Sequence, residues 1–300
     1  MANAFQKAKK EKIYVKALLF GSSGSGKTYS ALRLATGINK KCGGTGIAVI
    51  DTEAGRSKYY ANEFDFDILE LTEPYTPEKF ITAIQDAIDA GYKVLVIDST
   101  SHEWQYLVGQ SQLSKAGINV WSKLKPRHRA FMEKVLFSPI HIISTGRGKD
   151  EYVMEDKDGK TVPKKVGVGV QQDKDAEYDY TVTFNISQDT HTAEATKDNT
   201  HIFEGNLKVL TEEDGEKLYD WASSGVAATP RPIPQPEQED TDLPSLIQEI
   251  TNVFKEKMDN GVDKEKLYDL IASINDGKKN FATIKDVSVA QDVLEAIKNV

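Results

Sequence analysis

The sequence predicts an α/β fold: a mostly parallel sheet flanked by helices, a late antiparallel β extension, and a small helical module after it. Three observations carry this reading. Short segments rich in Val, Ile and Leu alternate with segments of helical periodicity, the pattern that builds a parallel sheet covered on both faces. Apolar residues make up 39% and charged residues 28% of the 300 positions, an ordinary globular balance with material for a real core. Five of the ten prolines fall between residues 224 and 244 beside an acidic cluster, marking a break between two units.

Taken in order, the strand-like segments are Ile13–Phe20, Gly46–Asp51, Phe66–Leu71, Lys93–Asp98 and Ile140–Thr145. Several are near-continuous apolar runs, as strands buried on both faces should be. Between them Gly26–Asn39, Pro77–Ala90 and Val120–Leu136 show helical spacing. A hairpin is expected from Tyr152–Glu155 and Lys160–Lys165 about Asp158-Gly159, and adjacent β segments at Tyr178–Ile186 and Thr192–Thr196 form the late extension. Proline fixes φ and removes a donor, so residues 224–244 read as an extended linker. From residue 245 to 300, Leu246, Ile250, Phe254, Leu267, Ile271, Val293 and Ile297 recur at helical spacing and suit three short helices. The expected organisation is a core over residues 1–223, a linker over 224–244 and a helical module over 245–300.

Composition excludes several classes. With 38 Lys+Arg against 46 Asp+Glu the net charge is −8, so nucleic acid could be held only by local patches. The single cysteine, Cys42, excludes an internal disulfide framework. The five histidines lack ligand spacing, and no apolar run reaches the roughly 18 residues needed to span a bilayer. No secretory leader is read at the start, so a cytoplasmic location is expected.

Residues Gly21, Ser22, Ser23, Gly24, Ser25, Gly26, Lys27 and Thr28 match the phosphate-loop pattern G-x-x-x-x-G-K-[ST], between a strand and a helix as it requires. Glycines let successive N–H groups turn inward on phosphate oxygens, and the helix that follows adds its positive end. Lys27 would reach the β- and γ-phosphates of ATP and act with the catalytic groups, and the Thr28 hydroxyl would ligate Mg²⁺. Asp98, closing the apolar strand Lys93–Asp98, is the expected partner for that metal. Hydrolysis needs a further carboxylate to orient or deprotonate water. Position 99 is serine, so the base is assigned to Glu53, at the end of the strand after the first helix, with Glu103 as the alternative.

At these residues the chain resembles phage nucleotide-binding P-loop ATPases with a RecA-like core, a group classed with AAA proteins that includes Sak-four-type single-strand annealing proteins. A Glu at the end of the second strand is similar to the arrangement in RecA, RadA and DnaB-type ATPases. The resemblance spans roughly residues 10–220 and implies a RecA-like fold, ATP and Mg²⁺ as cofactors, and a homo-oligomer. It also implies a γ-phosphate sensor among Ser144, Thr145 and Arg147. Lys197, on the late strand pair, would reach a neighbouring subunit's nucleotide; relatives carry a second basic residue two positions on, where this chain has Asn199.

Single-stranded DNA has three candidate contacts. Lys123, Lys125, Arg127, His128, Arg129 and Lys134 follow Trp121, a cationic patch beside an aromatic; the solvated face of a helix reads the same way. Lys164 and Lys165 lie in the long connection from Gly146 to Glu177, and Lys7, Lys9, Lys10 and Lys12 form a basic N-terminal segment read as a disordered end. The expected activity is ATP hydrolysis in phage DNA recombination or replication. A nucleotide or small-molecule kinase and a nucleotide-gated scaffold are the alternatives. The acidic helical module suits a protein partner.

Overall fold

The computed structural model describes residues 7–113, 120–157, 160–173, 176–226, 243–275, 277–284 and 287–298. The chain divides into two compact units, Met1–Pro234 and Gln235–Val300. In the first, strands β1 (Lys16–Gly21), β2 (Ile47–Asp51), β3 (Asp67–Glu70), β4 (Val94–Asp98), β5 (His141–Lys157), β6 (Lys160–Val170), β7 (Val182–Ile186) and β8 (Ala193–Asp198) form one sheet. Its order is β3-β2-β4-β5-β1-β7-β8, with β6 pairing on β5. The pairs from β3 through β7 are parallel, and β7–β8 and β5–β6 are antiparallel.

Alternation along the strands splits the core into two layers. Ala17, Leu19, Val49, Val94, Val96 and Ile143 face one side, where α1 (Lys27–Lys41) contributes Leu32, Leu34, Ala35 and Ile38. Leu18, Phe20, Ile50, Leu95, Ile97 and Ile142 face the other, against Phe80 and Ile84 of α2 (Pro77–Asp89). Between β4 and β5 run α3 (Ser101–Leu113) and α4 (Trp121–Phe137), and Phe131, Met132 and Val135 of α4 join the second layer.

The structure departs from the expected elements in five places. Chain β5 does not stop at Thr145 but runs unbroken to Lys157, so the expected hairpin is an outward continuation of a core strand; its turn, residues 158–159, lies outside the described residues. The segment from Tyr178 is not strand throughout, because the short helix α5 (Ala176–Asp179) precedes β7. The basic N-terminal segment is tied down rather than loose: Lys10 Nζ donates to Trp221 O at 2.8 Å and Ser224 Oγ at 2.6 Å, and Lys12 N donates to Val226 O at 2.9 Å. The linker, drawn from residue 224, still has Ser224–Val226 bonded to the core, and residues 227–242 lie outside the described residues.

The fifth departure is α6 (Glu212–Ser223), which the sequence did not suggest. A capping box of Thr211 and Asp214 starts it. It crosses α1 backbone to backbone: a Cβ on Gly37 would stand 1.9 Å from Glu212 O, and one on Gly215 would stand 2.2 Å from Leu34 O. Arg33–Glu212 at 2.7 Å, Lys40–Glu216 at 2.7 Å and Lys41–Asp220 at 3.0 Å flank the crossing.

In the second unit α7 (Leu243–Asp259), α8 (Lys264–Ile274) and α9 (Val287–Lys298) enclose Leu246, Ile250, Phe254, Leu267, Ile271, Val293 and Ile297. These are the residues whose spacing suggested the helices.

Two outcomes are expected. Gly37→Ala should cost at least about 2 kcal/mol in denaturant unfolding, since backbone, unlike a flexible side chain, cannot yield to the new methyl. The second concerns His141, buried at the start of β5, whose Nδ1 accepts from Val15 N at 3.0 Å. Burial, reinforced by nearby Lys16, lowers its pKa to about 4. The unfolded ring titrates near 6.5, so the unfolded state binds the extra proton first as pH falls. His141 therefore contributes a stability loss between about pH 6.5 and 4, approaching roughly 3 kcal/mol. Denaturant curves at pH 7.5 and 5 should show a smaller drop for His141→Gln than for the parent chain.

Candidate functional site

The loop from Gly21 to Gly26 joins the buried strand β1 to helix α1. Gly24 and Gly26 take left-handed φ values of 79° and 91°, which turns the loop back over the helix start. No acid occupies the first turn of α1, so its positive end is not neutralised locally. Lys27 Nζ folds over the loop and donates to Gly21 O at 3.0 Å and Ser22 O at 2.8 Å. Burial lowers its pKa, opposed by the attraction of Asp98 and Glu53.

Strand β5 lies between β1 and β4, and this brings three hydroxyl or carboxylate groups together. Thr28 Oγ1 donates to Asp98 Oδ2 at 2.6 Å, and Thr145 Oγ1 donates to Asp98 Oδ1. Asp98 is fully buried; desolvation raises its pKa against the two hydroxyl bonds, which favour the charged form. Thr145 also accepts on its carbonyl from Thr100 N at 3.0 Å, fixing the start of α3. Ser144, the residue before it, is buried on the other face of the strand.

Glu53 follows β2 on a turn organised by Asp51. Oδ1 of Asp51 accepts from Glu53 N at 2.8 Å and Gly55 N at 3.0 Å, and Oδ2 accepts from Ser57 N at 3.0 Å and from the Ser57 hydroxyl. The Glu53 carboxylate receives Arg147 as a fork, Nε to Oε1 at 3.1 Å and Nη2 to Oε2 at 2.9 Å. Ser99 Oγ adds a bond at 3.3 Å, and His102 Nε2 stands 3.8 Å away. Burial pushes the Glu53 pKa up, but Arg147 outweighs it and holds the carboxyl below its usual range.

Asp51 and His102 escaped the sequence reading. Asp51 carries a signal, an aspartate ahead of closely spaced Gly and Ser residues whose N–H groups it can collect. His102 has none: its Nδ1 meets Thr52 Oγ1 at 2.7 Å and its ring stacks on Tyr75 at 4.9 Å only because β2 and α3 converge.

The other named residues lie apart from this cluster. Glu103 is fully buried against His128 Nδ1 at 3.0 Å, on the core side of α3, away from the phosphate loop. Lys197 Nζ donates to the carbonyls of Tyr178 and, at 2.6 Å, Tyr180 of its own chain. The cationic patch on α4 is largely neutralised: Arg127 forks onto Glu78 at 2.7 and 2.8 Å, Arg129 pairs with Glu133 at 2.9 Å and Lys125 lies 3.8 Å from Asp173. Lys134 bonds Gln85, His128 is buried, and Lys123 is exposed. Lys164 and Lys165 pair through their backbones with Val153 and Tyr152 on β5; their side chains lie outside the described residues.

A glycine-cradled loop at the head of a parallel sheet, with a threonine bonded to a strand-end aspartate two strands away, defines a P-loop nucleotide-binding protein. Residues 13–211 match the AAA domain model, and the chain belongs to that family of nucleotide-binding ATPases. Among solved structures it is similar to a KaiC-like protein from Pyrococcus horikoshii OT3, at 15% identity and a TM-score of 0.35 over 65% of this chain and 82% of that one. No curated protein matches the chain.

Lys27→Ala should abolish binding of Mg-ADP and Mg-ATP in calorimetric titration and leave the melting temperature nearly unchanged. The side chain's two bonds are to loop carbonyls at the mouth of the site, so its loss removes charge from the phosphate position and little from the core.

Proposed function

We propose that this chain hydrolyses ATP with Mg²⁺, and does so in phage DNA recombination or replication as a homo-oligomer that engages single-stranded DNA. The observation that carries the ATPase reading is the Thr28–Asp98–Thr145 arrangement beside the phosphate loop. The donor set suits Mg²⁺: hard oxygens from Thr28 and Asp98, held in place before any ligand arrives. When bound, the metal would neutralise charge on the β- and γ-phosphates.

The chain's own residues divide the remaining work. Loop N–H groups and the α1 terminus bind the phosphates, and Lys27 exchanges its two loop carbonyls for phosphate oxygens. Thr145 holds Asp98 in orientation. Glu53 takes a proton from the attacking water. In the structure that carboxylate is engaged by Arg147, whose guanidinium can fork onto a phosphate as it does onto a carboxylate. Transfer of Arg147 from Glu53 to the γ-phosphate would free the base only when ATP is in place. Lys197 can act on a neighbouring subunit only by releasing the two carbonyls it now caps.

The DNA part of the proposal is supported by the resemblance and by the β5–β6 hairpin, which rises from the strand that carries Thr145 and Arg147. The neutralised face of α4 offers little to phosphates. ATP turnover with and without single-stranded DNA tests the reading: stimulation that falls steeply with salt supports it, and turnover only with a small-molecule acceptor would favour a kinase.

Glu53→Gln should keep nucleotide affinity and slow turnover by about 10²–10⁴-fold, the usual worth of a general base. Arg147→Ala leaves burial as the main influence on Glu53, which raises its pKa. The acid limb of the kcat/KM profile, which reports the free enzyme, should therefore move to higher pH, because the base works deprotonated.

A further inference from the structure

The tip of the β7–β8 hairpin, residues 187–192, packs against the outside of the phosphate loop. Ser187 N donates to Thr192 O at 2.9 Å and His191 N donates to Ser187 O at 3.0 Å, closing the turn. His191 sits at φ 56°, a left-handed conformation that non-glycine residues adopt infrequently. That backbone aims its ring at the loop, where Nδ1 lies 3.0 Å from Ser25 O. A carbonyl only accepts, so Nδ1 carries the proton and donates. The ring occupies the space left by Gly26, where a Cβ would stand 3.4 Å from Nδ1. Two further contacts come from the same hairpin: Ile186 O would lie 2.5 Å from a Cβ on Gly21, and Gln188 Nε2 3.9 Å from one on Gly24.

A trans peptide is planar, with its C=O and N–H pointing in opposite directions. Holding Ser25 O outward therefore turns Gly26 N–H inward, toward the position of the bound phosphates. We propose that His191 is a positioning residue for nucleotide binding, a strut from the sheet edge that fixes the Ser25–Gly26 peptide plane in its phosphate-accepting orientation. The inference deepens the ATPase reading and rests on it. It assigns the hairpin a role at its own chain's nucleotide, separate from any reach of Lys197 toward a neighbour.

The test uses the full-length chain and three variants, all of which tolerate the left-handed backbone. His191→Asn keeps a donor where Nδ1 stands, His191→Asp puts an acceptor there, and His191→Gly removes the group. The probe is Mg-ADP in calorimetric titration, with steady-state Mg-ATP kinetics alongside. Asn should bind within about threefold of the parent, while Gly and Asp should weaken binding by about fivefold or more, the net worth of one hydrogen bond. KM should rise in step with kcat nearly unchanged, since the loop holds ground state and transition state alike. Parent-like affinity in both Gly and Asp would overturn the proposal, as would equal weakening in Asn and Asp. Should the Gly variant fail to fold, the near-isosteric Asn and Asp pair decides the matter. A parent chain that fails to bind Mg-ADP would instead sink the nucleotide reading itself.

Discussion

The Asp98 carboxylate, buried between two threonine hydroxyls, is the constraint around which the first unit is arranged. An ionisable group in that position is stable only if its lone pairs are met, and Thr28 meets them from the start of α1 and Thr145 from within β5. The geometry requires β5 to lie between β1 and β4, with Thr145 in register beside Leu19 of β1. It also requires α1 to begin at the loop that follows β1. Strand order, helix start and the bonding of Asp98 are thus one arrangement seen at three levels.

A second ring of charge surrounds it. Asp51 collects three backbone N–H groups and so sets the turn that presents Glu53. Arg147 reaches back from β5 to Glu53, and His102 stacked on Tyr75 closes the remaining side. Three acids and two bases within one sheet edge would repel or desolvate one another if placed singly. Paired, they leave a carboxylate that stays ionised and a guanidinium whose partner a phosphate can replace. The sheet edge at β7–β8 braces the same loop from outside through His191.

Packing holds the scaffold that makes this possible. Helix α1 carries the loop at one end and is clasped along its length by α6 through two glycines that touch backbone to backbone. The N-terminal segment, bonded to the end of α6, fastens β1 from below. Surface cations that looked available for phosphates in the linear sequence are spent on acids, Arg127 on Glu78 of α2 and Arg129 on Glu133 of its own helix. Pairing of this kind is the ordinary fate of charges on a helix face.

By itself the sequence determined the α/β class, the buried strands, the phosphate loop and the helices of the second unit, because each rests on local periodicity or on a contiguous motif. Glu53 and Asp98 were legible as carboxylates at strand ends. Tertiary structure alone decided what they face: that Arg147 lies across the sheet from Glu53, that Asp51 builds a turn, that Glu103 turns inward to His128, and that Lys197 caps its own chain. It also decided that α6 is a helix, since Gly215 reads as a breaker until α1 supplies a partner whose backbone leaves no room for a side chain. The physical reason is common to all of these. Local propensity and spacing act within a few residues, whereas hydrogen bonds and close backbone contacts join residues tens to hundreds of positions apart, and only the folded chain brings those together.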